Sequence, residues 1–334
     1  MEQLKERLIQ YHKKYPLMEI ADMVKLLFQN EFAGGHFIAN ASQSEKRLWT
    51  EWHSLNLSNI PKDLPLYEDI GNHLCRIHLA RLSEKSLPLV HRMFLETANH
   101  WKSSMSDFLE KLSLLETLCA DGTLPIPAEE AHLYLKEYRA IGCPMLSHSN
   151  RYRQQYHPSY RIIEKRFAVF FTALEAIDEQ LAKDASSPFI VAVEGRCASG
   201  KTYLSDTISS LFDCSVFHMD DFFLPPDLRT DKRLSSPGEN IHHERFLHEV
   251  LQPIKNGLPA CYRPFSCTFG TFGEDVIISP KRLTIIEGSY SLHPSLRPYY
   301  DYKIFVSVDA KTQQERIGMR NGSDALKMFL SRWI

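Results

Sequence analysis

No C-x-x-C pair occurs anywhere in the sequence. Its seven cysteines, at positions 75, 119, 143, 197, 214, 261 and 267, are odd in number and scattered. That argues against a disulfide framework or a thiolate zinc site, and they read as reduced thiols. No stretch approaches 18 consecutive apolar residues, and residues 1–16 are amphipathic and charged, without an apolar signal core. The sequence therefore predicts no membrane span, no secretory leader and a cytoplasmic location. A formal net charge of -2 gives no overall electrostatic footprint for nucleic acid or an anionic membrane. Internal repeats and low-complexity tracts are also missing. What remains, 43% hydrophobic and 24% charged over 334 residues, is an ordinary globular composition, long enough for two cores.

The two cores differ in period. Up to about residue 183 apolar residues recur at helical spacing, as in Ile20, Met23, Val24, Leu27 and Phe28, or Phe108, Leu109, Leu112, Leu115 and Leu118. An all-α domain over residues 1–183 is expected. Gly34-Gly35, Pro61, Gly122, Pro125-Ile126-Pro127 and Gly142 punctuate it. Ser42 with Glu45 forms a capping-box pattern before Leu48 and Trp49, and a long helix over about 159–183 closes the region. The polar stretch Lys183-Asp184-Ala185-Ser186-Ser187-Pro188 marks the boundary. Beyond it, in residues 184–334, short apolar runs at 189–193, 216–217, 283–286 and 304–308 alternate with helical or loop segments. This is the α/β pattern of a parallel sheet flanked by helices.

The first of these runs leads into Gly195-Arg196-Cys197-Ala198-Ser199-Gly200-Lys201-Thr202, which fits G-x-x-x-x-G-K-T and lies between a strand and a helix. Glycines permit the tight turn and the close approach of backbone to phosphate, and the helix start offers free N–H groups to an anion. Gly195, Ala198, Ser199, Gly200, Lys201 and Thr202 are thus assigned to a nucleotide, with Lys201 on the β- and γ-phosphates and Thr202 on magnesium. The next strand runs into Asp220-Asp221, two carboxylates at the carboxyl end of a parallel strand, where such sheets bind ligands. One could deprotonate an acceptor hydroxyl and the other could help hold magnesium through water. Another strand ends in Glu287-Gly288, placed like a Walker-B acid. Arg316 and Arg320 share one face of a helical segment and could clamp phosphates.

The ordered set GRCASGKT, FHMDDFF, YRPFSCTFG, IIEGSYSLHP, YYDYKIFVSVDA and ERIGMRNG resembles the uridine kinase and phosphoribulokinase group of P-loop kinases, over residues 189 to about 322. The resemblance implies a P-loop NTPase-type fold and transfer of the ATP γ-phosphoryl group, with Mg2+, to a hydroxyl of a small molecule. It matches Asp220 to the catalytic base, which also lies near the metal, Glu287 to the acid near magnesium, and Arg316 and Arg320 to lid arginines. Three departures bear on the acceptor. The Asp-His-Pro segment that reads ribose appears as Glu239-Asn240-Ile241-His242-His243. The Tyr-Asp-Phe-x-x-His stretch appears as Tyr262-Arg263-Pro264-Phe265-Ser266-Cys267, retaining only the tyrosine, and the later Arg-Gly-Arg of the lid is absent. Asp221, Tyr262, Arg263 and His243 are the acceptor-side candidates, and uridine is expected to be a poor acceptor.

Other acceptors, such as a different nucleoside, a pantothenate-like acid or a sugar derivative, stay open, as does a nucleotide-dependent binding module. The helical half could shape the acceptor site, pair two copies into a homodimer, or regulate. Ten of the fifteen histidines precede residue 160, among them His36, His73, His78, His91 and His100. None shows H-E-x-x-H or comparable ligand spacing, so no metal is expected there. The segment from His148 to His157 interleaves basic and aromatic residues; a packed turn is expected in preference to base stacking.

Overall fold

The computed structural model describes residues 1–34, 38–183 and 187–332. His36 and residues 184–186 of the expected linker lie outside the described residues. The chain divides into two compact units, Met1–Phe171 and Thr172–Ile334, so the helix Phe171–Lys183 counts almost wholly with the second.

The first unit is helix-rich. Helices Glu2–Lys14, Ile20–Phe32 and Met105–Ala120 turn Leu8, Met23, Val24, Leu27, Phe28, Phe108, Leu112 and Leu115 into one core, as their spacing of three and four requires. Two local expectations are corrected. The helix Ala41–His53 is capped by Asn40, whose Oδ1 accepts from Gln43 N at 2.9 Å, in place of Ser42. The unit is also not all helix. It holds a three-stranded antiparallel sheet of β1 (Tyr67–Gly71), β2 (Leu74–His78) and β3 (Tyr160–Glu164), in the order β1-β2-β3. The expected helix over 159–183 therefore begins as a strand and becomes helical only at Lys165.

The reason for the missed sheet is visible in β2. All five of its residues are buried, including Arg76 and His78, so the polar-out alternation that marks a strand is missing. Arg76 is 1% exposed and cannot be left without partners. Its Nε and Nη2 donate to Gln29 Oε1 at 3.0 and 2.6 Å, and its guanidinium lies over the rings of Tyr160 and Tyr11. Gln29 Nε2 donates to Tyr160 Oη at 3.1 Å, Tyr160 Oη bonds His148 Nε2 at 2.6 Å, and His148 Nδ1 bonds Asp22 Oδ1 at 2.8 Å. Burial pushes the His148 pKa down to about 4, so its ring is neutral, donating from Nδ1 and accepting at Nε2. A buried cation is thereby linked to a buried anion through three neutral groups. Asp22 also accepts from Ser149 N, Ser149 Oγ and Glu19 N. The segment from His148 onward is accordingly packed, with His148 and Tyr152 buried.

The second unit is built on a parallel sheet. Strands β4 (Phe189–Gly195), β5 (Cys214–His218), β10 (Leu283–Glu287) and β11 (Tyr302–Val306) lie in the order β11-β4-β10-β5. Short antiparallel pairs formed by β6 (Ala260–Tyr262) with β9 (Val276–Ile278), and by β7 (Phe265–Ser266) with β8 (Thr271–Phe272), sit outside it. Ile190, Ala192, Phe217 and Ile286 are fully buried on one face of this sheet, and Val191, Val193 and Ile285 on the other. That burial on both faces explains the continuous apolar runs of the two central strands, β4 and β10. Among the described residues no helix is long and apolar enough to cross a membrane.

Candidate nucleotide site

Parallel pairing fixes where the chemistry gathers. In register, Glu287 at the end of β10 stands opposite Val193 of β4 and His218 of β5. The loop that follows β4, the turn that follows β5 and the last residue of β10 therefore emerge together at the carboxyl edge of the sheet, where α/β folds place ligands.

The loop after β4 is tightly constrained. A Cβ on Gly195 would lie 2.3 Å from the Val306 carbonyl oxygen, so no larger residue fits between β4 and β11. Ala198 and Gly200 have positive φ, +57° and +106°, a backbone that turns successive N–H groups toward one side. The helix Lys201–Leu211 begins directly after. Lys201 Nζ donates to the carbonyls of Gly195 and Arg196 at 2.9 and 3.0 Å and reaches Ser289 Oγ at 3.3 Å. From the helix that begins at Ala310, Gln313 Nε2 donates to Cys197 O at 2.8 Å, and Arg316 Nη1 to the carbonyls of Ala198 and Ser199 at 3.2 and 3.3 Å. Arg320 Nη2 lies 3.5 Å from Cys197 Sγ. Both predicted arginines thus flank the loop.

The acids converge from two strands. Thr202 Oγ1 lies 3.4 and 3.5 Å from the two oxygens of Glu287, and His218 Nδ1 bonds Glu287 Oε1 at 2.6 Å. That bond to a carboxylate raises the His218 pKa. Burial first, and then the charge of Glu287, raise the pKa of Asp220, while Lys201 opposes them. Asp221 accepts from Tyr262 Oη at 3.1 Å. Gly288 follows Glu287 because a Cβ there would meet Met219 Cβ at 2.6 Å.

The remaining acceptor-side candidates are placed differently. Arg263 is more than half exposed, with its Nε donating to Gly273 O at 2.9 Å along the β6–β9 hairpin. His243 opens a helical segment and faces Glu239, His293 and Ser295.

Four contributors carried no assignment from sequence. His218 closes β5, one residue before the turn that holds the aspartates, so strand position would have found it. Ser289 follows the Walker-B-like acid. Glu194 precedes the loop and accepts from the backbone N–H groups of Tyr290 and Leu292 at 2.8 Å each, a bracing role with no local sequence signal. Gln313 shares the helix of the arginines.

A glycine-rich loop between strand and helix, a lysine and a hydroxyl at the helix start, and acids at the ends of two neighbouring strands define a P-loop nucleotide-binding domain. Its resemblance to the uridine kinase group extends to known proteins. Uridine-cytidine kinase B of Dictyostelium discoideum is 29% identical over 148 residues, 40% of this chain and 58% of its own length. The tRNA-specific adenosine deaminase subunit tad2 of Schizosaccharomyces pombe is 31% identical over 144 residues, 41% of this chain and 34% of its own. The chain therefore spans only about a third to three-fifths of these curated relatives. Solved structures are similar as well, two of them as follows. A protein provisionally described as a fructose transport system kinase, from Silicibacter sp. TM1040, is 21% identical with a TM-score of 0.41, covering 48% of this chain and 87% of its own. A possible uridine kinase from Bacillus stearothermophilus is 17% identical with a TM-score of 0.36, covering 49% and 97%. No family model matches the chain.

Proposed function

We propose that the second unit is an ATP-dependent kinase that transfers a phosphoryl group to a hydroxyl of a small molecule. The carrying observation is the convergence of Lys201, Thr202, Asp220 and Glu287 at one edge of the sheet, with Glu287 within reach of the Thr202 hydroxyl. These residues fit the cofactors. Ser199 Oγ is buried without a hydrogen-bond partner, beside a glycine at which any side chain would block the loop. Asp220 and Glu287 are like charges whose proximity raises the Asp220 pKa, an arrangement that a divalent cation relieves. Thr202, Asp220 and Glu287 would hold magnesium, and the backbone of residues 195–202 would hold the phosphates. When bound, ATP supplies the phosphoryl group and magnesium supplies positive charge for its oxygens.

The chain's own residues do the rest. Lys201 can leave its carbonyl partners to neutralise negative charge that builds in the transition state. Arg316 and Arg320, already beside the loop, do the same from the other side. Asp220 takes the proton of the acceptor hydroxyl as general base. Tyr262 holds Asp221 through its hydroxyl and so fixes one wall of the acceptor side.

Uridine is a poor acceptor on this reading, because the His242 region stands where the family's ribose-reading carboxylate is expected and Cys267 replaces the base-reading histidine. A site that lacks the partners for a substrate's hydrogen bonds loses roughly 10⁴ in favourable cases. An ATP-consumption screen against uridine, cytidine, pantothenate and several sugars tests both parts. The expected result is acceptor-dependent turnover with a compound other than uridine. A uridine kcat/KM of about 10⁴ M⁻¹s⁻¹ or more overturns the specificity reading, and no acceptor-dependent turnover at all favours a nucleotide-dependent binding module.

A further inference from the structure

A second cluster in the same unit uses none of these residues. Glu239 follows the turn at Gly238, His243 lies four residues further on where a helical segment begins, and His293 comes from the loop after β10. Glu239 Oε1 stands 3.3 Å from Nε2 of His243 and 3.3 Å from Nε2 of His293. The three ligand-capable atoms lie within 4.8 Å of one another. Arg233 Nε holds the other oxygen of Glu239 at 3.2 Å, which leaves Oε1 to the imidazoles.

The nitrogen of interest is His243 Nε2. It is buried and makes no hydrogen bond, yet it faces carboxylate oxygens of Glu239 and, at 3.6 Å, Glu244. Both imidazoles are anchored at the opposite nitrogen: Ser295 Oγ lies 2.8 Å from His293 Nδ1 and 3.2 Å from His243 Nδ1. Ser295 N also donates to His293 Nδ1 at 3.4 Å, so in the unloaded chain that ring carries its proton at Nε2, on the Glu239 side, and binding a cation there releases it. Two imidazole nitrogens and a carboxylate oxygen converge on one place, and one of those nitrogens is buried without a partner, a donor set suited to a cation.

The spacing suits a particular class of ion. Zinc bound by imidazole and carboxylate at about 2.0–2.2 Å in a tetrahedron spaces neighbouring ligand atoms by about 3.3 Å. We propose that Glu239, His243 and His293 form a binding site for a borderline divalent transition-metal ion of the zinc type. The three protein ligands leave a fourth position for water or an oxygen of a small molecule. The two rings lie stacked, with centroids 4.0 Å apart and planes 17° from parallel, so loading turns one ring to aim both lone pairs at a common point. The Ser295 hydroxyl and Arg233 orient the ligands from behind, as outer partners of metal sites do. The oxygen ligands at Thr202, Asp220 and Glu287 suit magnesium, whereas the nitrogen-rich set suits zinc.

Cobalt(II) tests this without any enzymatic assay. The full chain, stripped with a chelator, is titrated with Co2+ at neutral pH and followed by visible absorption, then challenged with Zn2+. One equivalent is expected to give the d–d bands of four-coordinate cobalt, which Zn2+ removes. His243→Ala and His293→Ala should abolish the bands. Glu239→Gln, nearly isosteric, should keep the circular dichroism of the unloaded protein and weaken binding at least tenfold, in the range of about 10–100-fold seen for disturbed sites. Lys201→Ala should bind cobalt normally, so failure of the kinase reading and failure of this one are distinguishable. Absence of the bands in the wild-type chain overturns the proposal, as do bands that persist in the folded Glu239→Gln chain and both histidine variants.

Discussion

Each unit gathers charged and titratable side chains, but the two do so in opposite ways. In the first, Arg76, Gln29, Tyr160, His148 and Asp22 form a directed chain of hydrogen bonds from a buried cation to a buried anion. Each member has a partner within the unit. In the second, burial and the like charge of Glu287 raise the Asp220 pKa, and Lys201 and His218, the latter bonded to Glu287, offset this only in part. A closed chain contributes to folding, because removing a link leaves a desolvated group without its partner. A cluster of like charges at strand ends costs stability until a ligand enters, and is the better guide to function. A perturbed pKa alone does not separate the two cases, since His148 is shifted as clearly as Asp220. What separates them is whether the partners cancel.

The largest effect should come from Asp220→Asn. Turnover should fall by about 10²–10⁴ while ATP affinity, read by calorimetry, changes little. Asp221→Asn should cost much less, because Tyr262 already occupies one of its oxygens. If Asp221→Asn is the more damaging, the roles of the two acids are reversed.

Lys201→Ala should lower turnover by about 10²–10³ with an unchanged melting temperature, since its contacts are to loop carbonyls outside any core. Wild-type turnover in the folded variant would remove this loop from the chemistry.

Gln29→Leu should have the inverse profile. It leaves Arg76 and Tyr160 without their middle partner at a cost of about 1–3 kcal/mol, seen as a melting point several degrees lower, with kcat unchanged. An unchanged melting point would show that the chain in the first unit is not what holds it.

The smallest effect is in pH. The folded pKa of His148 is about 4, below its ordinary 6.5, so between these values the unfolded chain binds a proton that the native one does not. Stability attributable to His148 is full above about pH 6.5 and is lost as the pH falls toward 4. Asp22, whose bonds to His148 and Ser149 lower its pKa against the opposing effect of burial, adds to the loss at the acidic end. His148→Gln should flatten the pH dependence of the melting temperature over that window, and an unaltered slope would assign it to other groups.

The second unit was far more legible in the sequence than the first. Its central strands β4 and β10 are buried on both faces and so appear as apolar runs, and its loop chemistry needs fixed residue types at fixed spacing. Lys201, Thr202, Asp220, Glu287, Arg316 and Arg320 could therefore be placed from sequence, and all six lie around one loop and strand edge. Glu194 could not, because its bonds reach backbone groups 96 and 98 residues away. In the first unit the helices followed from their periodicity, whereas β2 and β3 pair across more than 80 residues with Arg76 and His78 turned inward. Local pattern carries no trace of such a pairing. The cap at Asn40 was missed for a smaller reason: the Ser42–Glu45 pattern lies only two residues away.

The most direct test of the account is to follow the γ-phosphoryl group itself. Wild-type chain and Lys201→Ala are each incubated with ATP, magnesium and the acceptor panel, and the products are resolved by mass spectrometry. The account predicts a new phosphorylated acceptor in equal amount to ADP with the wild-type chain, and at most about one hundredth of that rate with the variant. Tight ATP binding by the wild-type chain with no phosphorylated acceptor from any hydroxyl compound would contradict it.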